Sequence, residues 1–331
     1  MHYALGSINL FTKGRLIYMA EIITMGELLV EIMRPQEDTP LYETDYFRGP
    51  FPSGAPGIFI STVARLNHSA AIISGVGDDD FGKNVLSRLK KDGVNVDNVI
   101  VSDKGNTGVA FVSYSSDGDR KYAFYMSNSP FTMSKAPANN QEEFRDTKFM
   151  HIMGCSLMSN ANFANEIIKT MHMMKANGVK ISFDPNVRLE MTSDISVLKE
   201  VFANCAVLMP GVSELKMLTG EQSIDDAIAK VFQSPALEIL VLKNGSKGSQ
   251  VYTRKGLEHT QPIYKVKQAD ATGAGDSYDA AFICGLAEGK TLAESAQMGA
   301  AAGALNAAAF GPMEGNISVD TVREMIAQNE R

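Results

Sequence analysis

Residues 270 to 283 read Asp-Ala-Thr-Gly-Ala-Gly-Asp-Ser-Tyr-Asp-Ala-Ala-Phe-Ile, and they hold the residue types best suited to chemistry. Three small residues, Gly273, Ala274 and Gly275, stand directly before an apolar run that predicts a helix. Small residues let the backbone approach a ligand closely, and the unpaired N–H groups of a helix start favour an anion. The same dipole keeps a carboxylate in the first turn, Asp276, ionised. With a hydroxyl beside Asp276 and a phosphoryl group over the amides, two needs of phosphoryl transfer are met. Asp276 accepts the proton and the amides take the moving charge. The spacing describes equally well a glycine turn in which Asp276 only caps a helix. The surrounding elements must decide.

Those elements follow a regular order from residue 21 onward. Glu21 to Gly26 and Leu28 to Met33 read as strand-like sequence, and Gly54 to Asn67 as a helix. Ala70 to Gly75 is a buried strand, followed by a helix over Asp80 to Asp92 entered through an acidic turn. Residues 108–125 read as an antiparallel hairpin around a Ser-Asp-Gly turn. Residues 36–53 are polar, aromatic and rich in Pro and Gly. Segments 36–53 and 107–126 are therefore expected to form a small β lid. Strands over 148–153, 180–184, 205–209 and 238–243 then alternate with helices over 160–177, 213–219, 223–232, 275–288, 291–309 and 318–329. Such alternation predicts an α/β fold, a mostly parallel sheet flanked by helices. Residues 21–331 are read as this domain, and residues 1–20, which match no targeting pattern, as an N-terminal extension.

Composition narrows the function. The formal net charge of -7, without a basic cluster, argues against nucleic acid as a partner. Cys155, Cys205 and Cys284 are far apart and read as buried thiols, and five scattered histidines offer no zinc spacing. No secretory h-region or 18-residue apolar run occurs, which predicts a cytoplasmic protein without membrane contact. Gly285-Leu-Ala-Glu-Gly289-Lys290-Thr291 has three residues between its glycines where a P-loop needs four. No Gly-x-Gly-x-x-Gly follows the first strand, so a nicotinamide oxidoreductase lacks its phosphate turn. Met171, Met173 and Met174 read as packing residues on a helix.

Taken together, these segments resemble the ribokinase-like (PfkB) carbohydrate kinases over nearly the whole chain from residue 21. The segment from Asp270 is similar to the family signature Asp-Thr-Thr-Gly-Ala-Gly-Asp-Ser-Phe, departing only at Ala271 and Tyr278. The resemblance implies that Asp276 is the catalytic base and that Gly273, Ala274 and Gly275 complete an anion hole with it. Met25-Gly-Glu-Leu-Leu-Val-Glu31 resembles the family's first strand, which implies a sugar contact at Glu31, where Asp is usual. Ser53-Gly-Ala-Pro-Gly-Ile58 resembles the Gly-Gly-Ala-Pro-Ala-Asn turn, implying sugar contacts at Gly54 and Ala55. Ile58 replaces the Asn, which weakens a ribose reading.

Asp184-Pro-Asn-Val-Arg188 implies that Asn186 lies near ATP phosphates and that Arg188 meets the phosphates or an acidic substrate. Met209-Pro-Gly-Val-Ser-Glu214 resembles Pro-Asn-x-x-Glu, so Glu214 carries over as an organiser of hydrated Mg2+, although Gly211 replaces the Asn. Lys243, where Thr is frequent, is expected to neutralise a phosphate or to stand solvated at a strand end. Gly245 and Gly248 are expected to flank the nucleotide, and Asn306 to contact it or to cap a helix. The family often binds a monovalent cation, implying K+ at Asp270 and Thr272. The acidic turn Asp78-Asp79-Asp80 reads as a helix entry rather than a metal site.

The expected activity is ATP- and Mg2+-dependent phosphorylation of a small sugar or sugar acid. The start at Gly26, Ile58 and the Asp184–Arg188 segment together resemble the branch acting on tagatose, fructose and 2-keto-3-deoxygluconate. A ribose or nucleoside kinase is the alternative within the fold, and a non-catalytic sugar- or nucleotide-sensing module the alternative outside catalysis. A homodimer through the lid is a further expectation.

Overall fold

The computed structural model describes residues 20–116, 120–138, 144–192 and 194–329. Most of the expected N-terminal extension, and the Asp-Gly of the expected hairpin turn, lie outside the described residues.

Short, largely apolar segments become one sheet. Its strands are β1 (Ile22–Met25), β4 (Ala70–Gly77), β5 (Val99–Ser102), β8 (Phe149–Met153), β9 (Lys180–Asp184), β10 (Val207–Leu208) and β11 (Ile239–Lys243). Two edge strands, β12 (Ser249–Thr253) and β13 (Gly256–Gln261), complete it. The spatial order is β13-β12-β11-β10-β9-β8-β1-β4-β5. Every pairing from β5 to β11 is parallel, with Thr24 of β1 opposite Ile72 of β4 and His151 of β8. Strands buried on both faces read as continuous apolar runs, which is why β1, β4 and β8 were visible in the sequence. The β11–β12–β13 meander is antiparallel and was not foreseen. Its residues, Ser-Gln-Val-Tyr-Thr and Gly-Leu-Glu-His-Thr-Gln, lack such a run.

Helices cover both faces. On one, Phe59 and Val63 pack with Phe282, Ile283 and Ala301; on the other, Phe163, Ile167, Met171 and Met174 pack with Phe183 and Leu198. Met171 and Met174 are thus packing residues. The helix Ala274–Ala287 is buried almost all round; residues 280–287 are apolar, and buried Asp276 and Asp279 in its first half have polar partners. The P-loop-like segment is the end of this helix followed by Thr291, which caps the next helix in a capping box with Glu294.

A second sheet has the order β3-β2-β6-β7, built from β2 (Leu29–Met33), β3 (Arg48–Ser53), β6 (Gly108–Tyr114) and β7 (Arg120–Tyr125). The expected lid exists, with one difference: β2 belongs to it rather than to the main sheet, pairing parallel to β6 and antiparallel to β3. Residues 36–47 contribute no strand. Arg34, 1% exposed, holds that segment instead, donating to the carbonyls of Tyr46, Pro40 and Glu43 while its guanidinium lies 3.8 Å from the centre of the Phe47 ring.

Candidate active site

Parallel strands deliver their functional groups at their carboxyl ends, and here β9 ends at Asp184 and β11 at Lys243. Both residues line a cavity of about 180 Å³ between the main sheet and the lid. The floor is the turn entering the helix Ala274–Ala287. Gly273 is left-handed there (φ 77°), and a Cβ on it would stand 2.3 Å from the Pro312 carbonyl oxygen. Only glycine fits. The helix's hydrogen bonding starts with Ser277 N–H donating to the Gly273 carbonyl, so the preceding amides of Gly275 and Asp276 have no partner within the helix.

Asp276 lies in that first turn, 8% exposed, and accepts a hydrogen bond from Asn186 Nδ2 at 3.1 Å. Burial pushes its carboxyl up to about 7, and nearby Asp184 adds to the shift, while Arg188, Lys243 and Arg120 pull against it. Asn186 itself is left-handed (φ 37°), a conformation Asn tolerates, with its N–H donating to Asp184 Oδ1 at 3.1 Å. Its side-chain oxygen is buried without a partner.

The Glu214 carboxylate accepts Val187 N–H at 2.8 Å and Gly211 N–H at 2.7 Å, tying together the two loops that follow β9 and β10. Burial first, and Asp184 second, raise its pKa. Lys243 lines the cavity and is not solvated, which removes one of its two expected roles. Its ammonium bonds Asp184 Oδ2 at 2.9 Å and both oxygens of Asp279 at 3.0 and 2.8 Å. Burial opposes its charge, but the two carboxylates outweigh that and hold its pKa above the usual lysine range.

Asn306 corrects the sequence reading. It is fully buried and does not line this cavity; its Nδ2 donates to the carbonyls of Thr272 at 2.8 Å and Pro312 at 3.0 Å, bracing the turn from behind. Gly245 and Gly248 form the β11–β12 turn and also lie outside the cavity lining. Asp270 and Thr272 are together: Asp270 Oδ1 accepts Thr272 N–H at 2.9 Å and Tyr114 O–H at 3.1 Å, and Oδ2 accepts Gly311 N–H at 3.1 Å. Among the described residues, no group of three or more His, Cys, Asp or Glu is arranged to hold a metal ion. The acidic turn is a helix cap, with Asp79 Oδ1 accepting Gly82 N–H at 2.7 Å.

Glu31 forms the opposite wall. It is 6% exposed; Oε1 accepts Ser53 O–H at 2.7 Å and Oε2 has no partner. Burial pushes its carboxyl up to about 7, with Asp270 and Asp276 adding to the rise and Ser53 and Arg120 opposing it. Gly54 (φ 99°) and Ala55 lie beside it, and Gly54 needs its missing Cβ because that atom would meet the Glu27 carbonyl oxygen at 2.6 Å. Arg188 lines the cavity with its guanidinium 5.6 Å from the Tyr122 ring centre.

Sequence reasoning missed Arg120, Tyr122 and Phe124 of β7, which all line the cavity. Strand alternation was the available signal: these three share one face, while Lys121 and Tyr125 on the other are exposed. Glu27 was missed too; it is 2% exposed and accepts from Ser156 Oγ and, at 3.2 Å, from Cys155 Sγ. All three cysteines are buried and free, as expected.

A carboxylate at the mouth of a helix-start amide nest, roofed by a lid, defines an enzyme that moves an anionic group onto a bound small molecule. The chain belongs to the pfkB family of carbohydrate kinases, whose family model matches residues 21–318. It is 32% identical over 275 residues to probable fructokinase-5 of Arabidopsis thaliana, covering 80% of this chain and 82% of that protein. The crystal structure of a putative ribokinase II from E. coli matches with a TM-score of 0.85 at 33% identity, covering 94% of this chain and 100% of that one. The same E. coli protein in complex with ATP and Mg2+ matches at 0.84 and 32%, with the same coverage. The chain is therefore a phosphotransferase acting on a sugar hydroxyl. No helix among the described residues is long and apolar enough to cross a membrane.

Proposed function

We propose that this kinase transfers the γ-phosphoryl group of ATP to a hydroxyl of a ketohexose or sugar acid, with fructose, tagatose and 2-keto-3-deoxygluconate the first substrates to try. One observation carries the reading: Asp276 and Glu31, each with a carboxyl pushed up to about 7, face one cavity between the amide nest and the lid. In this mechanism Glu31 Oε2 accepts a sugar hydroxyl, with Gly54 and Ala55 beside the ring. Asp276 takes the proton of the attacking hydroxyl, and Asn186 holds the carboxylate in place. The amides of Gly275 and Asp276 take the charge on the transferred group, with Gly273 shaping the turn, while the Ala274 N–H is held by the Ala271 carbonyl at 3.3 Å. Lid closure excludes water that would otherwise compete for the phosphoryl group.

ATP and Mg2+ suit the residues on the body side of the cavity. Each Glu214 oxygen takes one N–H and keeps further acceptor capacity, which fits a hydrated ion rather than a directly ligated one. The unpartnered Asn186 oxygen lies on the same side. Bound Mg2+ would neutralise phosphate charge there. The turn from Gly245 to Gly248 is the proposed flank of the nucleotide's outer end. K+ at Asp270 and Thr272 enters no step.

The fructokinase relative supports a ketohexose, whereas Arg188 on the cavity wall supports a substrate with a carboxylate. The proposal extends to a homodimer through the lid, supported by Tyr125, 68% exposed on the outer face of β7, and tested by sedimentation. The decisive experiment is an ADP-release screen over ketohexoses, pentoses, sugar acids and nucleosides with Mg2+, with and without K+. Turnover with a ketohexose or sugar acid above all others is expected. Turnover confined to ribose or nucleosides would replace this reading, and binding without ADP release would turn the protein into a sensor.

A further inference from the structure

Five carboxylates, Glu27, Glu31, Asp184, Glu214 and Asp276, line the cavity into which a polyanionic donor must enter. Against them stand three cations, of which Arg188 and Lys243 belong to the main body and Arg120 to the lid. Lys243 is bonded to Asp184 and Asp279, and Asp279 lies behind the lining. The lid cation is therefore the one whose presence depends on where the lid stands.

Arg120 is the first residue of β7, opposite Tyr114 of β6. Its Nη1 donates to Thr272 Oγ1 at 3.4 Å, and Tyr114 O–H lies 3.2 Å from the same oxygen. Thr272 immediately precedes Gly273. Two neighbouring lid side chains thus converge on the residue that opens the amide nest, and Tyr114 also holds Asp270. We propose that Arg120 is a positioning residue that latches the docked lid to the Thr272–Gly273 turn and brings one positive charge to the transfer site only when the lid is down. The inference rests on the kinase reading above and adds to it a link between lid docking and phosphoryl transfer.

The link explains restraint as well as rate. With the lid raised, bound ATP faces a cavity poorer by one cation, and the nest loses two tethers. Water reaching the site then meets a less stabilised phosphoryl group. Charge felt at Asp276 follows the same logic: Asp184, Arg188 and Lys243 act on it from the body and Arg120 from the lid, and the lid arginine opposes the rise of both Asp276 and Glu31.

The test uses the full chain with Arg120→Met and Arg120→Lys. Hydrogen–deuterium exchange over residues 108–125 reads the latch without turnover. Arg120→Met should speed exchange there and leave the β8 and β9 amides unchanged; unaltered exchange would overturn the latch. Kinetics then read the charge. Arg120→Met should lower kcat by about 30- to 100-fold with the ATP KM held within about threefold, and Arg120→Lys should restore about a third of it. The acid limb of the pH profile should move upward in Arg120→Met and return in Arg120→Lys. A full kcat with a raised sugar KM would make Arg120 a substrate contact instead, and a loss matched by lower Tm would make it structural. Absence of turnover in the wild type would count against the kinase reading alone, because the exchange experiment still decides the latch.

Discussion

The two walls of the cavity are built by different rules. The body wall takes single residues from the ends of β9 and β11 and from the start of the helix Ala274–Ala287, and each is held by other polar groups. Asp184, Lys243 and Asp279 bind one another, Glu214 binds two backbone amides, and Asn186 binds Asp276. The lid wall takes alternate residues of two strands, Leu29 and Glu31 of β2 and Arg120, Tyr122 and Phe124 of β7, and the β7 neighbours Lys121 and Tyr125 are exposed. Tyr122 and Phe124 stack on each other with ring centres 5.4 Å apart. Electrostatic networks fix the body wall, whereas packing and the contacts of Arg120 and Tyr114 with Thr272 and Asp270 dock the lid. Chemistry should therefore fail most sharply when the body wall changes, whereas on the lid only Arg120 carries a share of the chemistry and the other side chains carry recognition.

The largest effect expected is on the body wall. Asp276→Asn should lower kcat by about a thousandfold or more while ATP binding, measured by calorimetry, persists. The same variant should be more thermostable than wild type at pH 8. Because burial raises the folded-state pKa of Asp276 to about 7, the unfolded chain releases its proton first as pH rises from about 4, and stability falls across that window. The stability gap between variant and wild type should narrow as pH falls from about 7 and close below about pH 4; a gap unchanged with pH would mean the carboxyl is not strained by burial.

Wild-type kcat/KM should fall as pH drops through about 7, because the base must be ionised and both Asp276 and Glu31 protonate there. A profile flat down to pH 5 would place both carboxyls in the ordinary range. Glu31→Gln should raise the sugar KM by about tenfold, equivalent to about 1.4 kcal/mol, with the ATP KM unchanged. If kcat collapses instead, the wall assigned to recognition is doing chemistry.

Asn306→Leu separates bracing from nucleotide contact. Loss of its two hydrogen bonds to the Thr272 and Pro312 carbonyls should lower unfolding free energy by about 1–3 kcal/mol in urea titrations. A higher ATP KM at unchanged stability would return Asn306 to the nucleotide. The smallest effect is reserved for Lys121→Ala on the outer face of β7, within about 0.5 kcal/mol for stability and barely detectable in kcat. A large loss there would mean that the two faces of the lid strand do not divide the work.

The body wall was the more legible of the two. Gly273 to Asp276 announce themselves because a left-handed turn and a helix-start nest admit few residue types, whereas Asn186 and Glu214 were legible only through the family resemblance. The parallel strands were equally visible as unbroken apolar runs. Lys243 and Asn306 were visible as residues but not as roles, since their partners Asp279 and Pro312 come from elements that only the fold brings near. The lid was half-visible: the β6–β7 hairpin was expected, but the inward face of β7 and the membership of β2 depend on register, which the sequence pattern of a short strand leaves open. The edge strands β12 and β13 escaped because their polar alternation carries no core signal.

The three-membered cluster of Asp184, Lys243 and Asp279 also constrains how this family member can drift. Burial already pushes the Asp279 carboxyl well above its usual range, so a neutral residue at 243 would raise it further and strip Asp184 of its cation, whereas a neutral residue at 279 would leave Lys243 and Asp184 as a balanced pair. A homologue with an uncharged residue at 243 should therefore carry an uncharged residue at 279, while the reverse exchange is free.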